Sequence, residues 1–227
     1  MSLLEPLWRA LFPPRCVGCG KHGEALCTSC ARGLPYMPSR VCQRCATPTV
    51  PRMECRACRR LSPALNSVRA AFVYEGVPRR AVHTFKFRSG RYLAPVLGEL
   101  LRASLEQRPL HADLVTPVPL APRRLRERGY NQAALLAEYV TDAAGASLAT
   151  GLLAREDRPP QQRLSAAERM DNLLGAIRCT DPSAASHRRI LLVDDVMTTG
   201  ATLSACAEAL ADAGASHVSA LVFARDV

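Results

Sequence analysis

Apolar segments with the spacing of buried strands alternate with amphipathic helical segments from Pro63 to the end of the chain. The four strands that this pattern predicts are Val68–Tyr74, Asp113–Pro119, Ile190–Val193 with the residues that follow it, and Val218–Ala224. The predicted helices lie near Pro78–Phe85, Tyr92–Leu105, Asn131–Ala144, Ser165–Leu174 and Leu203–Ala213. Strands that alternate with helices form parallel sheets with right-handed crossovers. The sequence therefore predicts an α/β fold with helices on both faces of a parallel sheet.

The strand at Ile190–Val193 is followed by acidic and hydroxyl side chains in a pattern that the other predicted strands lack. It runs into the acid pair, Asp194 and Asp195, and then into the threonine loop, Thr198–Thr202, which opens a helix. A strand–loop–helix junction directs backbone N–H groups and the positive end of the helix at one place, which suits a phosphate. Carboxylates beside that place could bind vicinal hydroxyls, so the segment fits a ribose 5-phosphate.

Two other interpretations of the acid pair compete with this one. The acids could cap a helix after an ordinary buried strand, or they could belong to a Walker B strand. The second interpretation fails because the chain has no Gly-x-x-x-x-Gly-Lys-Ser/Thr segment.

Eight of the 10 cysteines form four Cys-x-x-Cys pairs near the N-terminus. They are Cys16, Cys19, Cys27, Cys30, Cys42, Cys45, Cys55 and Cys58. Two such pairs complete a tetrahedral Zn²⁺ site, so the spacing predicts two structural zinc ions. We pair the knuckles sequentially, although interleaved pairing satisfies the spacing as well. Disulfides are the alternative in an oxidising compartment, and a redox Cys-x-x-Cys would normally occur once within a βαβ unit.

The first 14 residues predict a short amphipathic helix that ends at Pro13-Pro14. No basic segment precedes an apolar core there, so we expect no secretory signal and a cytoplasmic protein. No apolar stretch is long enough to predict a transmembrane helix.

The formal net charge is +10, and its excess lies in the cysteine-rich part. Residues 1–62 carry ten Lys or Arg against three Asp or Glu, whereas the rest of the chain carries twenty against seventeen. Arg52, Arg56, Arg59 and Arg60 surround the last knuckle. This part of the chain could contact nucleic-acid phosphates, or it could be a solvated basic face.

Specific motifs add a resemblance to a known family. The acid pair and the threonine loop resemble the phosphoribosyl pyrophosphate (PRPP) loop of type I phosphoribosyltransferases. The order of motifs along nearly the whole chain resembles the ComF family, which is associated with competence. The motifs are Leu11-Phe12-Pro13-Pro14-Arg15-Cys16, the cysteine pairs, Phe85-Lys86-Phe87-Arg88, Pro117-Val118-Pro119-Leu120, Arg128-Gly129-Tyr130-Asn131-Gln132, Gln161-x-x-Leu164, Arg169-x-x-Asn172, and the acid pair with its loop.

This resemblance implies a type I phosphoribosyltransferase-like domain at 63–227, preceded by a double zinc ribbon at 15–62 and the helix at 1–14. It also implies that the chain binds PRPP together with Mg²⁺. The residues that would bind PRPP are Asp194, Asp195, Val196, Met197, Thr198, Thr199, Gly200, Ala201 and Thr202. Lys86, Arg128 and Arg169 are the candidate catalytic cations, and Arg123 and Arg155 are further candidates. The segment Arg155–Leu164 is the candidate lid. It has Arg158 where the family often has Thr.

Two functions from different classes fit these expectations. One is Mg²⁺-dependent transfer of a phosphoribosyl group to an unidentified acceptor. The other is a non-catalytic accessory role in DNA uptake or processing, with single-stranded DNA bound by the basic zinc module.

Overall fold

A five-stranded parallel sheet lies at the centre of the chain in a computed structural model that describes residues 13–49, 55–157 and 175–227. The described strands are β1 (Ser67–Val73), β2 (Leu114–Pro117), β3 (Ser147–Leu148), β4 (Leu153–Arg155), β5 (Ile177–Cys179), β6 (Arg189–Met197) and β7 (His217–Arg225), and all but β4 and β5 belong to this sheet. The α-helices are α1 (Thr28–Arg32), α2 (Gly76–Phe85), α3 (Ala94–Gln107), α4 (Pro122–Arg128), α5 (Gln132–Val140), α6 (Pro182–Ala185) and α7 (Ala201–Asp212). Two 3₁₀-helices span Arg56–Arg60 and Arg88–Leu93.

The strand order in the sheet is β1-β7-β6-β2-β3, and every neighbouring pair is parallel. The long strands β6 and β7 lie in the middle, where both of their faces are covered. This position explains why Ile190–Val193 is a continuous apolar run instead of an alternating one.

Alternate side chains of β6 enter two separate cores. Leu191 and Val193 pack with residues of α2, α3 and α5 on one face of the sheet. Ile190 and Leu192 pack with α7 on the other face. Helices therefore cover both faces, as the sequence predicts for its α/β fold class.

The cysteine-rich part straddles the β1 edge of this sheet. Residues around Val17 and Leu26 pack on the core that holds α2 and α3, whereas Cys45 and Leu61 belong to the opposite core. The connecting residues Pro35–Met37 run along β1: Met37 N–H donates to Ala71 O at 3.0 Å, and Val73 N–H donates to Pro35 O at 2.8 Å. This connection covers an edge that would otherwise expose unpaired backbone groups.

Several elements differ from the sequence expectation. The strand predicted at Asp113–Pro119 is confined to Leu114–Pro117, and the helix predicted from Tyr92 begins as a 3₁₀-helix. The helix α4 and the antiparallel pair β4–β5 were not expected. Their segments are too short to show a helical or strand period in the sequence.

The predicted N-terminal helix, apart from its last two residues, lies outside the described residues. So do most of the candidate lid and the helix near Ser165–Leu174. Among the described residues, no helix has the length and apolar character needed to cross a membrane.

The contact between α3 and α5 gives a test of this packing. A Cβ placed on Gly98 would lie 2.3 Å from ring carbons of Tyr139. We expect Gly98→Ala to lower the free energy of unfolding by about 1–3 kcal/mol through overpacking, despite the higher helix propensity of alanine. Urea denaturation would measure it. Gly151→Ala is the control, because a Cβ there meets no atom within 4 Å, and an equal effect of both changes would contradict the packing.

Candidate active site and cysteine clusters

The acid pair lies at the carboxyl end of β6, next to the end of α2. Lys86 follows α2 directly, and its Nζ is 3.5 Å from Asp195 Oδ2. The Asp195 side chain is 9% exposed and that of Lys86 is 29% exposed, so the ion pair is largely shielded from water. The structure thus brings together two residues that lie more than a hundred positions apart in the sequence.

The two carboxylates have different surroundings. Burial raises the pKa of Asp195, and the charges of Lys86 and Arg128 oppose that rise. Burial and the negative charge of Asp195 raise the pKa of Asp194 to about 8. Asp194 Oδ1 accepts a hydrogen bond from the Asp195 N–H at 2.8 Å, which partly offsets the rise. Burial therefore disfavours the charged form of both acids, and a ligand that brings cations or hydroxyl donors would favour that form.

The Arg-Gly-Tyr-Asn-Gln segment holds the backbone on both sides of Lys86. The hydroxyl of Tyr130 lies 2.6 Å from Phe85 O and 2.8 Å from Phe87 O, and donates its hydrogen between them. Gln132 Nε2 donates to Phe85 O at 3.1 Å. These bonds fix the backbone that carries Lys86, so Tyr130 and Gln132 position the lysine.

The same segment also fixes the chain near the end of β2. Asn131 caps α5, because its Oδ1 accepts from the Ala133 N–H, and its Nδ2 donates to Val118 O at 3.0 Å. Gly129 takes the left-handed conformation, with φ of 81°, that ends α4.

The threonine loop joins the acid pair to α7. Thr198 and Thr199 are exposed, and Gly200 occupies the N-cap position of α7 with φ of 84° and no side chain to accept from the helix. The first N–H of α7, on Ala201, donates to Thr199 Oγ1 at 3.4 Å, and the loop and Asp194 line a small cleft at this end of the helix. This geometry suits an anion at the helix N-terminus.

The structure also places the other predicted cations. Arg128 is half-buried, its charge acts on Asp195, and its Nη1 donates to Gln132 Oε1 at 2.8 Å. Arg155 lies in β4, and its charge acts on Asp194. Arg123 is exposed and pairs with Glu127 at 2.9 Å. Arg169 lies outside the described residues.

The position of Arg155 in a strand differs from the sequence prediction, which assigned this residue to a lid. Its pairing with Ile177 in the β4–β5 sheet holds the backbone of this arginine in a strand. The lid prediction therefore concerns only the residues after it, and most of those lie outside the described chain.

The eight N-terminal cysteines form two groups of four. The first cysteine cluster contains Cys16, Cys19, Cys27 and Cys30, and the second contains Cys42, Cys45, Cys55 and Cys58. Within each cluster the sulfur atoms lie within 4.8 Å of one another. The knuckles thus pair sequentially, and the interleaved alternative does not occur.

Both clusters fit structural Zn²⁺ sites. Four sulfurs at about 2.3 Å from a tetrahedral zinc lie about 3.8 Å apart, and the Sγ atoms of Cys19 and Cys27 are 3.7 Å apart. In the first cluster the N–H groups of Gly18 and Cys27 donate to Cys16 Sγ at 3.4 and 3.3 Å, which stabilises a thiolate. No disulfide occurs among the described cysteines.

Sequence reasoning missed the supporting residues of this site. Tyr130 and Gln132 were recognised only as part of a motif. Arg225, on the last strand, carried no signal at all, although its buried guanidinium contacts both the second cysteine cluster and the threonine loop. Only the tertiary structure reveals such contacts, because their partners are distant in the sequence.

Comparisons with known proteins agree with this geometry. Residues 7–59 match the double zinc ribbon domain, and residues 131–226 match the phosphoribosyl transferase domain. The fold and the site thus define a type I phosphoribosyltransferase-like domain preceded by a double zinc ribbon.

Full-length relatives identify the family. Competence protein ComFC of Bacillus subtilis (strain 168) is 30% identical over 228 residues, which cover 96% of this chain and 89% of the relative. DNA utilization protein YhgH of Salmonella typhi is 31% identical over 201 residues, which cover 85% of this chain and 87% of the relative. The chain belongs to the ComF family.

Among solved structures, the glutamine PRPP amidotransferase of B. subtilis complexed with ADP and GMP matches at a TM-score of 0.39 and 21% identity. That match covers 57% of this chain and 25% of the other. It is a distant likeness that adds nothing to the assignment.

The raised pKa of Asp194 predicts how the stability of the ligand-free protein depends on pH. A carboxyl whose pKa rises on folding from about 4 to about 8 holds its proton more tightly in the folded chain, so stability is lost as pH increases across that range. We expect Asp194→Asn to remove this loss, because asparagine keeps the acceptor for the Asp195 N–H without a charge. The gain should be at least about 1.4 kcal/mol at pH 8, the equivalent of one pKa unit, and should vanish below pH of about 4.

Urea denaturation at several pH values would measure this gain. The exposed Asp212 provides the control, and Asp212→Asn should leave the pH profile unchanged. If the free energy of unfolding of Asp194→Asn depends on pH in the same way as that of the wild type, folding does not raise the pKa of Asp194.

Proposed function

We propose that the acid pair and the threonine loop bind PRPP and that the protein transfers its phosphoribosyl group to an acceptor not yet identified. The threonine hydroxyls and the N–H groups of α7 hold the 5-phosphate, and Asp194 and Asp195 accept hydrogen bonds from the ribose hydroxyls. The ion pair between Lys86 and Asp195 at the carboxyl end of β6 carries this proposal. In this ion pair the ammonium group of Lys86 lies beside the carboxylates that would hold the ribose. A cation at that position would stabilise the negative charge of the leaving pyrophosphate.

Each residue has a defined part in such a reaction. Cleavage of the C1–O bond builds positive charge on the ribose and negative charge on the leaving pyrophosphate. The acid pair stabilises the first charge, and Lys86 and Arg128 stabilise the second. Arg169 is a further candidate from its motif. Mg²⁺ would be held together with PRPP near Asp194 and Asp195, and it would supply additional positive charge against that of the leaving pyrophosphate.

The cellular setting follows from the relatives and the cysteines. The names of the relatives above, a competence protein and a DNA utilization protein, support a role linked to competence or DNA uptake. Two clusters of four free cysteines need a reducing compartment to remain thiolates, which supports a cytoplasmic protein.

The PRPP proposal predicts the effect of neutralising the acid pair. Replacing both Asp194 and Asp195 by Asn should lower Mg²⁺-dependent PRPP affinity at least about tenfold, because charge-assisted hydrogen bonds to the ribose are lost. Isothermal calorimetry would measure it. Pyrophosphate release across a panel of bases would then show whether bound PRPP is consumed.

Asp212→Asn is the matched control, because it removes a carboxylate from the surface of α7 away from the loop and should leave the affinity unchanged. Unchanged PRPP affinity in the double variant would remove the proposal.

A second candidate function rests on the basic surface of the second zinc ribbon. Arg56, Arg59 and Arg60 are all exposed on one 3₁₀-helix, and the names of the relatives point to DNA. Clustered arginines attract phosphates through charge with little regard to base sequence. In this function the chain is an accessory factor that binds single-stranded DNA and works with the DNA-uptake machinery, with or without turnover of PRPP.

The DNA proposal predicts a salt-dependent interaction at this helix. Changing Arg56, Arg59 and Arg60 together to Glu should weaken the binding of single-stranded DNA at least about tenfold and flatten its salt dependence. Fluorescence anisotropy with a labelled oligonucleotide would measure both. PRPP affinity, measured in the same variant, should stay intact.

Three exposed arginines elsewhere provide a control with the same change of charge: Arg79, Arg178 and Arg188. Their replacement by Glu should weaken DNA binding much less. If both triple variants lose affinity equally, the interaction reflects net charge and not this surface.

A further inference from the structure

We propose that the second cysteine cluster, acting through Arg225 and Leu61, holds the threonine loop in its binding conformation, so that loss of zinc from this cluster releases the loop. Arg225 is a positioning residue in this scheme. The identity of the ligand that the loop binds rests on the proposed function, but the restraint of the loop by the second cysteine cluster does not.

The first link is the buried guanidinium of Arg225, a residue that is 6% exposed. Its Nε donates to the carbonyl of Cys45 at 3.3 Å, and its Nη2 donates to Thr47 Oγ1 at 3.3 Å. Its Nη1 donates to Met197 O at 3.1 Å and to Thr198 O. A single planar group therefore ties a cluster cysteine to the start of the threonine loop.

The direction of this coupling follows from the cost of burying a charge. A buried guanidinium that loses acceptors is destabilised, so the turn that supplies Cys45 O and Thr47 Oγ1 helps to hold Arg225 in place. Cys45 is fully buried, and the turn around it depends on the cluster that its sulfur completes. When that turn opens, Arg225 loses two of its acceptors.

The second link is the packing of Leu61 against the loop. A Cβ on Gly200 would lie 2.4 Å from Leu61 Cδ2, so the leucine side chain fills the space beside this glycine. The Leu61 N–H in turn donates to the carbonyl of Cys58 at 3.1 Å, which connects the leucine to the second cluster.

The third link lies one residue further along the chain. The Ser62 N–H donates to Ser204 Oγ in the first turn of α7 at 3.1 Å. Arg44, between two cluster cysteines, donates to the carbonyls of Leu61 and Ser62 at 3.3 and 2.9 Å. Both ends of the threonine loop are therefore supported from the same ribbon.

The first cysteine cluster offers an internal comparison, because it lies on the other face of the sheet. Its neighbours there are Arg80, which donates to the carbonyls of Val17 and Gly18, and Tyr92, which donates to Arg15 O. The described contacts of this cluster do not include the threonine loop. The two zinc ribbons are thus alike in chemistry and different in what they support.

The test compares one cysteine from each cluster in the full chain. Cys55→Ser should reduce bound zinc from two ions to one, and it should speed hydrogen exchange of the backbone amides at 198–204 at least about tenfold. Cys19→Ser should also leave one zinc, with exchange at 198–204 unchanged. Metal analysis and hydrogen exchange followed by mass spectrometry give both readouts.

Equal loop exchange in these two variants would overturn the proposal. If Cys55→Ser also loses protection throughout β6, the variant has unfolded, and Arg225→Lys decides instead. This change keeps the charge but loses the fork of donors. It should speed loop exchange while both zinc ions stay bound. Arg189→Lys, at the opposite end of the sheet, is its control. Unchanged loop exchange in Arg225→Lys would overturn the proposal.

PRPP binding is measured separately in the same variants. If the wild-type protein binds no PRPP, the proposed function fails, whereas the exchange experiment still decides whether the second cluster restrains the loop.

Discussion

The placement of a buried carboxylate, Asp195, next to a half-buried one, Asp194, at the end of a central strand is the constraint on which the rest of this structure depends. Neighbouring elements shield the end of β6 from much of the water, so the charge of Asp195 acts strongly on Asp194 and raises its pKa. Such a pair is tolerable only where cations and hydrogen-bond donors surround it. The positions of Lys86, Arg128 and Arg155 follow from this requirement, since each comes from a different element that ends near the acids.

The positioning of Lys86 shows how a local motif can serve a distant group. The carbonyls around the lysine accept hydrogen bonds from Tyr130 and Gln132, so the lysine backbone is anchored to the start of α5. A flexible lysine side chain gains a defined place in this way, and its ammonium group stays close to Asp195. Tyr130 and Gln132 therefore act by orienting the lysine, which explains how residues without a charge can matter at a charged site.

The zinc ribbons contribute more than a separate appendage would. They straddle the β1 edge, where Pro35–Met37 satisfy the backbone groups of the outermost strand. One ribbon packs beside α2 and the other packs behind the threonine loop, so the module contacts both cores of the sheet. A small module with little apolar surface of its own gains stability from these contacts, and metal ions held by its two cysteine clusters would add to it.

The sequence by itself determined the elements whose patterns are local. The buried run of β6, the acid pair, the threonine loop and the cysteine spacing each lie within a short segment, and each predicts its structure through periodicity or ligand chemistry. Tertiary structure decided which cysteines share a cluster, that Lys86 meets Asp195, and that Arg225 joins the second cluster to the loop. Those contacts depend on how the strands are ordered and on which face each side chain enters. Residues far apart in the chain carry no local pattern that would reveal such contacts.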